Sequence, residues 1–289
     1  MDKNKLKNYL KLLLRLSVSV AALIFVFSKI NFIEVISTYR SVNFIYLLSA
    51  VVFFILSKII SAYRLNLFFR SVDLELSDRF NLKLYLLWMF YNLFLPGGVG
   101  GDGYKIFYLG KEFGIKKSKV FWSVLLDRFS GVISLLILVI IFSYFIIINI
   151  SFPYKYFIWI LIPVILFIFF RILKAYLPHF TAVYWNTFIQ SLAVQVAQVL
   201  CALLILISAG TPDMVMNYLF LFLISSIVAM LPISIGGMGL RELTFLYGAG
   251  ILNLNTEISV ALSLMFYLIS VFVSLFGIYY SLNPAKIRD

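Results

Sequence analysis

Two pairs of adjacent opposite charges, Asp127-Arg128 and Arg241-Glu242, lie in apolar surroundings and are the residues of this sequence best suited to chemistry. Asp127-Arg128 lies about nine residues beyond Lys119, or roughly 13 Å along a helix. Ionisable side chains at that depth in an apolar segment are costly, and they mark either a binding site or an ion pair. We expect Arg128 and Arg241 to bind an anionic group, with Asp127 orienting Arg128.

Asp102, Lys105 and Arg64 are further charged candidates. An ion pair between Arg128 and Asp102 is the alternative to anion binding, because such a pair would hold two helices together. Lys105, Arg241 and Arg64 also have a second interpretation, in which their long side chains extend to the membrane surface as anchors. The sequence leaves these alternatives open.

An internal repeat contains several of these residues. The stretch 95–105 reads Leu-Pro-Gly-Gly-Val-Gly-Gly-Asp-Gly-Tyr-Lys, and 231–241 reads Leu-Pro-Ile-Ser-Ile-Gly-Gly-Met-Gly-Leu-Arg, at a constant offset of 136 residues. Each copy interrupts an apolar segment with proline and glycines, and matching interruptions in two halves are typical of transporter binding sites. Two ordinary interhelical turns are the simpler alternative.

The glycines of both copies can let backbone amides approach a ligand, and the helices that follow direct their positive N-terminal ends into the break. With the neighbouring cations, this arrangement favours an anion such as a phosphate headgroup whose acyl chains stay in lipid. The predicted substrate-binding residues are Pro96, Gly97, Gly100, Gly101, Asp102, Lys105, Asp127, Arg128, Pro232, Gly236, Gly237, Gly239, Arg241, Glu242 and Arg64.

The composition predicts an all-α polytopic membrane protein. Of the 289 residues, 63% are hydrophobic and 12% are charged, whereas a water-soluble globular protein has about twice that share of charge. The apolar runs are long and continuous rather than alternating, so the membrane spans are helices and not barrel strands. The net charge of +12 resides at the ends of the apolar segments, which indicates membrane topology and not a nucleic-acid partner.

We expect about six full spans and two re-entrant broken-helix hairpins. The predicted spans are about 10–30, 44–68, 119–148, 155–173, 183–208 and 257–281, and the predicted hairpins are 84–113 and 214–252. Segment 84–95 has about twelve residues, near 18 Å as a helix, which is too short to cross a hydrocarbon core of roughly 30 Å. Basic residues at segment ends place both termini in the cytoplasm by the positive-inside rule.

The chain is predicted to form a single membrane domain, 1–289, built from halves of about 10–149 and 155–281. The first hairpin would enter from the inside and the second from the outside, so the two halves form an inverted-topology repeat. In the competing layout every short segment crosses the membrane, which would leave Lys111 to Lys119 outside against the charge rule.

Cofactor chemistry is not predicted. The one cysteine, Cys201, lies in an apolar run, and the one histidine, His179, follows Pro178 without a neighbouring cysteine or acidic cluster. These residue types in these places do not form a metal site. We expect no cofactor, no metal and no catalytic residue.

Taken together, these motifs resemble the lysylphosphatidylglycerol synthase transmembrane (flippase-like) domain family. The resemblance covers nearly the whole chain and rests on the motif at 95–102, on Asp127-Arg128, and on the motif at 232–242. It implies a plasma-membrane protein related to the domain that translocates aminoacylated phosphatidylglycerol, with two re-entrant hairpins around a central cavity. Lys105 stands where the family often has arginine, and no charge lies near Ser263, where an arginine is often seen.

We therefore expect a membrane lipid translocase, in the plasma (inner) membrane, that moves an anionic, aminoacylated or polyprenyl-linked lipid between leaflets. One alternative is a non-transporting partner of an envelope lipid or glycan synthesis enzyme, and another is an intramembrane lipid-modifying transferase. An enzyme is disfavoured because the chain ends at Asp289 without the soluble aminoacyl-transfer domain of full-length synthases. The expected partners are anionic membrane lipids, with a homodimer or a synthesis enzyme as further candidates.

Overall fold

The computed structural model describes residues 42–94, 100–146, 158–210, 213–231 and 238–287, together with Ile24 and Ser28, and within these ranges it is helical without strands. Its α-helices are α1 Phe44–Arg70, α2 Asp78–Phe94, α3 Gly100–Glu112, α4 Lys117–Ser143, α5 Leu161–Tyr176, α6 Tyr184–Ser208, α7 Val215–Ala229, α8 Leu240–Ile251, α9 Thr256–Leu275 and α10 Ile278–Leu282. Short 3₁₀ helices occupy Ile158–Ile160, Pro178–Val183 and Pro284–Ile287.

Five of the described helical segments are long and apolar enough to cross a membrane. They are Phe44–Arg70, Lys117–Ser143, Ile158–Tyr176, Pro178–Ser208 and Thr256–Leu282. They coincide with five of the six predicted spans, so the all-helical, multi-pass class is confirmed. The predicted span at 10–30 lies outside the described residues except for Ile24 and Ser28.

The first helix of the predicted hairpin 84–113 begins earlier than expected, at Asp78. The hydroxyl of Ser77 accepts a hydrogen bond from the backbone N–H of Phe80, and Asp78 places a carboxylate in the first turn. Both features stabilise a helix N-terminus. The 17 residues of α2 extend to about 25 Å, still short of a hydrocarbon core of roughly 30 Å.

Several basic segments meet at one end of the helix bundle, which we call the basic end. Lys119, at the start of α4, lies 3.0 Å from the carboxylate of Asp73, just after α1. Lys83, in the first turns of α2, donates a 3.0 Å hydrogen bond to the backbone carbonyl of Lys286. The basic end therefore gathers the end of α1, the starts of α2 and α4, and the C-terminal segment.

Helices α1 and α6 make the most extensive contact between elements and run antiparallel. At the basic end the rings of Phe68 and Phe180 are 6.0 Å apart, and at the opposite end the N–H of Asn43 donates to the carbonyl of Ser208 at 2.9 Å. Their first residues differ by 140 positions, close to the 136-residue sequence offset. Opposite direction is what an inverted repeat requires of equivalent helices.

The two hairpins enter the bundle from opposite ends. Helix α2 starts at the basic end, and α3 returns there to connect with α4. Helix α7 follows α6 at the opposite end, and α8 returns to the same place, because the N–H of Asn255 donates to the hydroxyl of Tyr218 at 3.1 Å. The inverted repeat as a whole, and the division into halves, remain predictions because the first span and most of both glycine breaks lie outside the described residues.

Candidate ligand-binding cavity

A cavity of about 320 Å³ lies between the helices in the middle of the bundle. Helix α1 lines it with Phe54, Lys58 and Ser61, which share one face because helical residues three to four apart are neighbours. The tips of both hairpins reach it through Asn92, near the end of α2, and Arg241, at the start of α8. The short helices thus bring polar groups to the level of the middle of α1.

Positive charge dominates the wall of this cavity. It is lined by four cationic side chains and one carboxylate: Lys58, Arg64, Arg128, Arg241 and Asp127. Asp102, which does not line the cavity but forms an ion pair with Arg128, adds a second carboxylate. Two positive charges are therefore left without a matching carboxylate among these groups.

Arg64 is part of a buried ion pair. Its Nε lies 2.7 Å from a carboxylate oxygen of Asp127, and its Nη1 donates to the hydroxyl of Ser191 at 2.9 Å. The side chains of Arg64 and Asp127 are 6% and 11% exposed. Arg64 is therefore not an anchor at the membrane surface, and Asp127, which we expected to orient Arg128, orients Arg64 instead.

Arg128 forms the ion pair that the sequence left as an alternative. Its Nη2 lies 2.5 Å from a carboxylate oxygen of Asp102, and the other oxygen of Asp102 accepts the indole N–H of Trp88 at 2.5 Å. Arg128 nevertheless lines the cavity, and its side chain is 29% exposed. The pair joins the start of α3 to α4 and leaves part of the guanidinium facing the cavity.

Lys105 does not extend towards the membrane surface, so the anchor interpretation of this residue is wrong. It is 1% exposed, and its ammonium lies 4.4 Å from the ring centre of Trp88 and 5.2 Å from that of Tyr85. Aromatic rings stabilise a cation over their faces. Lys105 lies behind Tyr85 and Trp88, which themselves line the cavity.

Arg241, the repeat equivalent of Lys105, also lies against two aromatic rings, with its guanidinium 4.5 Å from the ring centre of Phe266 and 5.3 Å from that of Phe222. Unlike Lys105, it faces the cavity. Its Nη2 donates to the hydroxyl of Ser226 at 2.9 Å, while its Nε is buried without a hydrogen-bond partner. Within the described residues it has no carboxylate partner.

Glu242, beside Arg241, forms hydrogen bonds at the start of its own helix, α8, and to α9. One carboxylate oxygen accepts the backbone N–H of Gly239 at 2.6 Å, and the other accepts the hydroxyl of Ser263 at 2.9 Å. This arrangement caps the start of α8. The carboxylate next to Arg241 in sequence is therefore not its charge partner.

Lys58 is a cavity residue that our sequence analysis missed. It lies in the middle of α1, its ammonium is 4.6 Å from the ring centre of Phe54, and no ion pair or hydrogen bond of its side chain occurs among the described residues. The indication was present in the sequence, since a lysine in the middle of an apolar span is a functional candidate by itself.

The backbone amides of Gly101 and Gly239, which we expected to contact a ligand, are already bonded within the protein. The N–H of Gly101 donates to the side-chain oxygen of Asn92 at 3.0 Å, and that of Gly239 to Glu242. Gly101 also lies against Trp88 with no room for a Cβ, and Gly239 has a φ of 86°. These glycines serve close helix packing and a left-handed turn. Gly100 begins α3, whereas Pro96, Gly97, Pro232, Gly236 and Gly237 lie outside the described residues.

The fold and the cavity define a class: a multi-pass helical membrane protein with a cation-rich cavity between its helices. The chain matches the family described as the lysylphosphatidylglycerol synthase TM region over residues 12–277. It belongs to that family, which confirms the resemblance and connects the protein with lipid handling. Among curated proteins, none matched the chain.

Proposed function

We propose that this protein is a flippase-like translocase, and not an enzyme, which binds the anionic headgroup of a membrane lipid in the central cavity and moves the lipid between leaflets. Lys58 and Arg241 carry the proposal. Both line the cavity, and neither has a carboxylate partner among the described residues. A charge is costly in a membrane interior, so two such cations favour an anionic ligand.

The position of these cations supports recognition of an anionic headgroup in the central cavity. Lys58 and Arg241 stand against the rings of Phe54 and Phe266, which are 5.5 Å apart in an edge-to-face contact. Both rings are buried, and the two cations that lie against them line the cavity. A phosphate offers several charged oxygens, which suits binding by a lysine and an arginine together.

The direction of the helices supports movement of the lipid. Hairpins that enter from opposite ends and meet at one cavity can alternately expose that cavity to either side, as in secondary transporters built from inverted repeats. We extend the proposal to this mechanism: the chain is an inverted repeat, and rocking of the halves carries the headgroup past the midplane. The plasma membrane is the proposed location.

Leaflet exchange in liposomes tests the proposal. Purified protein is reconstituted with fluorescent anionic, aminoacylated or polyprenyl-linked lipids, and the fraction accessible to an external quencher is followed. We expect exchange of at least one anionic lipid, and its loss in Lys58→Ala and in Arg241→Ala. Arg70→Ala is the matched control, since Arg70 is half exposed outside the cavity and pairs with Asp78.

The outcomes separate the candidate roles. If no lipid exchanges while anionic lipids still bind, translocation is wrong and a binding role beside a synthesis enzyme replaces it. If both alanine variants exchange anionic lipid as fast as the Arg70→Ala control, the cavity does not recognise an anionic headgroup.

A further inference from the structure

A second cavity lies between α3 and α4, beside Arg128. It encloses about 250 Å³ and is walled by Ile106, Phe121, Val124 and Leu125, with Asp102 and Arg128 at one end. We call it the α3–α4 groove. Apart from that ion pair, its lining is apolar.

The α3–α4 groove and the central cavity share one lining residue, Arg128. The ion pair between Arg128 and Asp102 is thus the boundary between a polar, cationic space and an apolar one. A ligand that filled both spaces would need an anionic group joined directly to an apolar chain. A phospholipid has this structure.

The groove is also open to the outside of the helix bundle. Phe121 is 45% exposed, and Gly103, on α3, is exposed in a position where an added Cβ would meet no atom within 4 Å. The volume exceeds the roughly 150 Å³ of an apolar protein cavity that takes up benzene. It is therefore large enough for a segment of an acyl chain.

We propose that the α3–α4 groove binds an acyl chain of the same lipid whose anionic headgroup occupies the central cavity. The inference rests on the proposed function for the headgroup. It adds an apolar site for the acyl chain while the headgroup is bound. Arg128 stands at the junction, where the phosphate meets the chain. An annular lipid, by contrast, would touch the groove without any dependence on its headgroup.

Photolabelling tests this binding. Phosphatidylglycerol with a diazirine in one acyl chain is reconstituted with the full-length protein, and labelled peptides are identified by mass spectrometry. We expect label at Ile106 and at 121–125 in excess over label on α5, which is largely exposed and serves as the internal reference. Phosphatidylcholine with the same diazirine chain should label the groove no more than α5.

Gly103→Leu fills the groove and should lower groove labelling about tenfold, the effect of losing the burial of roughly two methylene groups. Gly250→Leu is the matched control, because Gly250 is also an exposed helical glycine with open space around it. Its groove labelling should equal that of the wild type. If Gly103→Leu does not fold, Gly103→Ala, with a smaller decrease, replaces it.

Groove labelling and leaflet exchange test the acyl-chain site and the proposed function separately. Groove labelling that is equal for both lipids, or unchanged in Gly103→Leu, means annular contact only and overturns the groove site even if leaflet exchange occurs. Groove labelling that needs phosphatidylglycerol and disappears in Gly103→Leu supports the site even if the wild type exchanges no lipid.

Discussion

The charged residues of the cavity divide into two kinds by the partners that the structure provides. Arg64 with Asp127, and Arg128 with Asp102, are ion pairs between helices, whereas Arg241 and Lys58 rest on aromatic rings and face the cavity. Loss of a paired residue leaves an uncompensated buried charge. Loss of a cation that serves a ligand removes binding instead. These consequences can be measured separately.

Asp127→Ala should lower the free energy of unfolding by about 3–5 kcal/mol, because it leaves the Arg64 guanidinium buried without its carboxylate. The double variant Arg64→Met with Asp127→Ala should recover much of this loss, since no lone charge remains. Denaturant unfolding of the purified protein in detergent measures both. Asp73→Asn is the control: its exposed pair with Lys119 should contribute less than about 1 kcal/mol. Equal effects of Asp127→Ala and Asp73→Asn would contradict the buried pair.

Arg128→Ala and Arg241→Ala should have different effects on thermal stability and on stabilisation by lipid. Arg128→Ala leaves the 7%-exposed Asp102 carboxylate without its charge partner, so the melting temperature without lipid should fall. Arg241→Ala removes no ion pair and should lower the melting temperature without lipid much less. This variant should nevertheless abolish the additional stabilisation by phosphatidylglycerol. Thermal unfolding with and without phosphatidylglycerol measures both quantities. A full lipid-dependent shift in Arg241→Ala would exclude Arg241 as a headgroup ligand.

At the scale of elements, glycines allow the short helices to approach their neighbours. A Cβ on Gly101 would meet the backbone carbonyl of Trp88, and a Cβ on Gly277, between α9 and α10, would meet that of Leu86. Both carbonyls belong to α2, so the backbones of α3 and of the α9–α10 break both lie in close contact with the backbone of this helix. The glycines position the first hairpin at the cavity rather than opening it to a ligand.

Gly101→Ala and Gly277→Ala should each destabilise the protein by about 1–3 kcal/mol, because helix backbones must separate to admit a methyl group. Gly250→Ala, on α8, adds the same group in open space and should stabilise by up to about 1 kcal/mol through helix propensity. Equilibrium unfolding of the three variants in one detergent gives the comparison. A neutral Gly277→Ala would show that α2 and the α9–α10 break are not in close contact.

At the scale of the whole molecule, contacts bring the loops that the charge rule assigns to the cytoplasm to one end. Lys119 meets Asp73, Phe180 meets Phe68, and Lys83 meets the C-terminal segment, all at the basic end. The start of α9, at Asn255, lies at the other end, beside Tyr218. Among the described residues the bundle therefore has one basic and one less basic end, the pattern that the positive-inside rule associates with an oriented membrane protein.

Single cysteines in a Cys201→Ala background test this orientation. Lys117→Cys and His179→Cys, both at exposed positions, should react with a membrane-impermeant maleimide only after the cells are opened. Glu257→Cys should react in intact cells. Cys201 is fully buried, so its replacement removes background labelling. Labelling of position 117 from outside would overturn both the proposed topology and the inverted repeat.

The sequence by itself predicted the five membrane helices that the structure describes. It also showed that glycine-rich breaks recur at an offset of 136 residues and that charges lie within apolar surroundings. The offset also relates the starts of helices in the two halves. Helices α2, α3 and α4 start at 78, 100 and 117, and the offset of 136 predicts equivalent starts at 214, 236 and 253. Helices α7, α8 and α9 start close to these positions, at 215, 240 and 256. These features follow from local composition, because transfer into lipid and helix breaking act on short stretches of chain.

Only the tertiary structure decided which charges pair. Asp127 belongs to Arg64, 63 residues away, and not to its neighbour Arg128, while Lys58 and Arg241 have no described carboxylate. The spacing of polar residues marks one face of each helix, with Ser57, Ser61 and Arg64 on α1 and Ser123, Asp127 and Ser130 on α4. The physical reason is that this spacing shows which face is polar, but not which residues of another helix lie opposite it. The rotation and depth of each helix come from packing against its neighbours, which is a property of the tertiary structure.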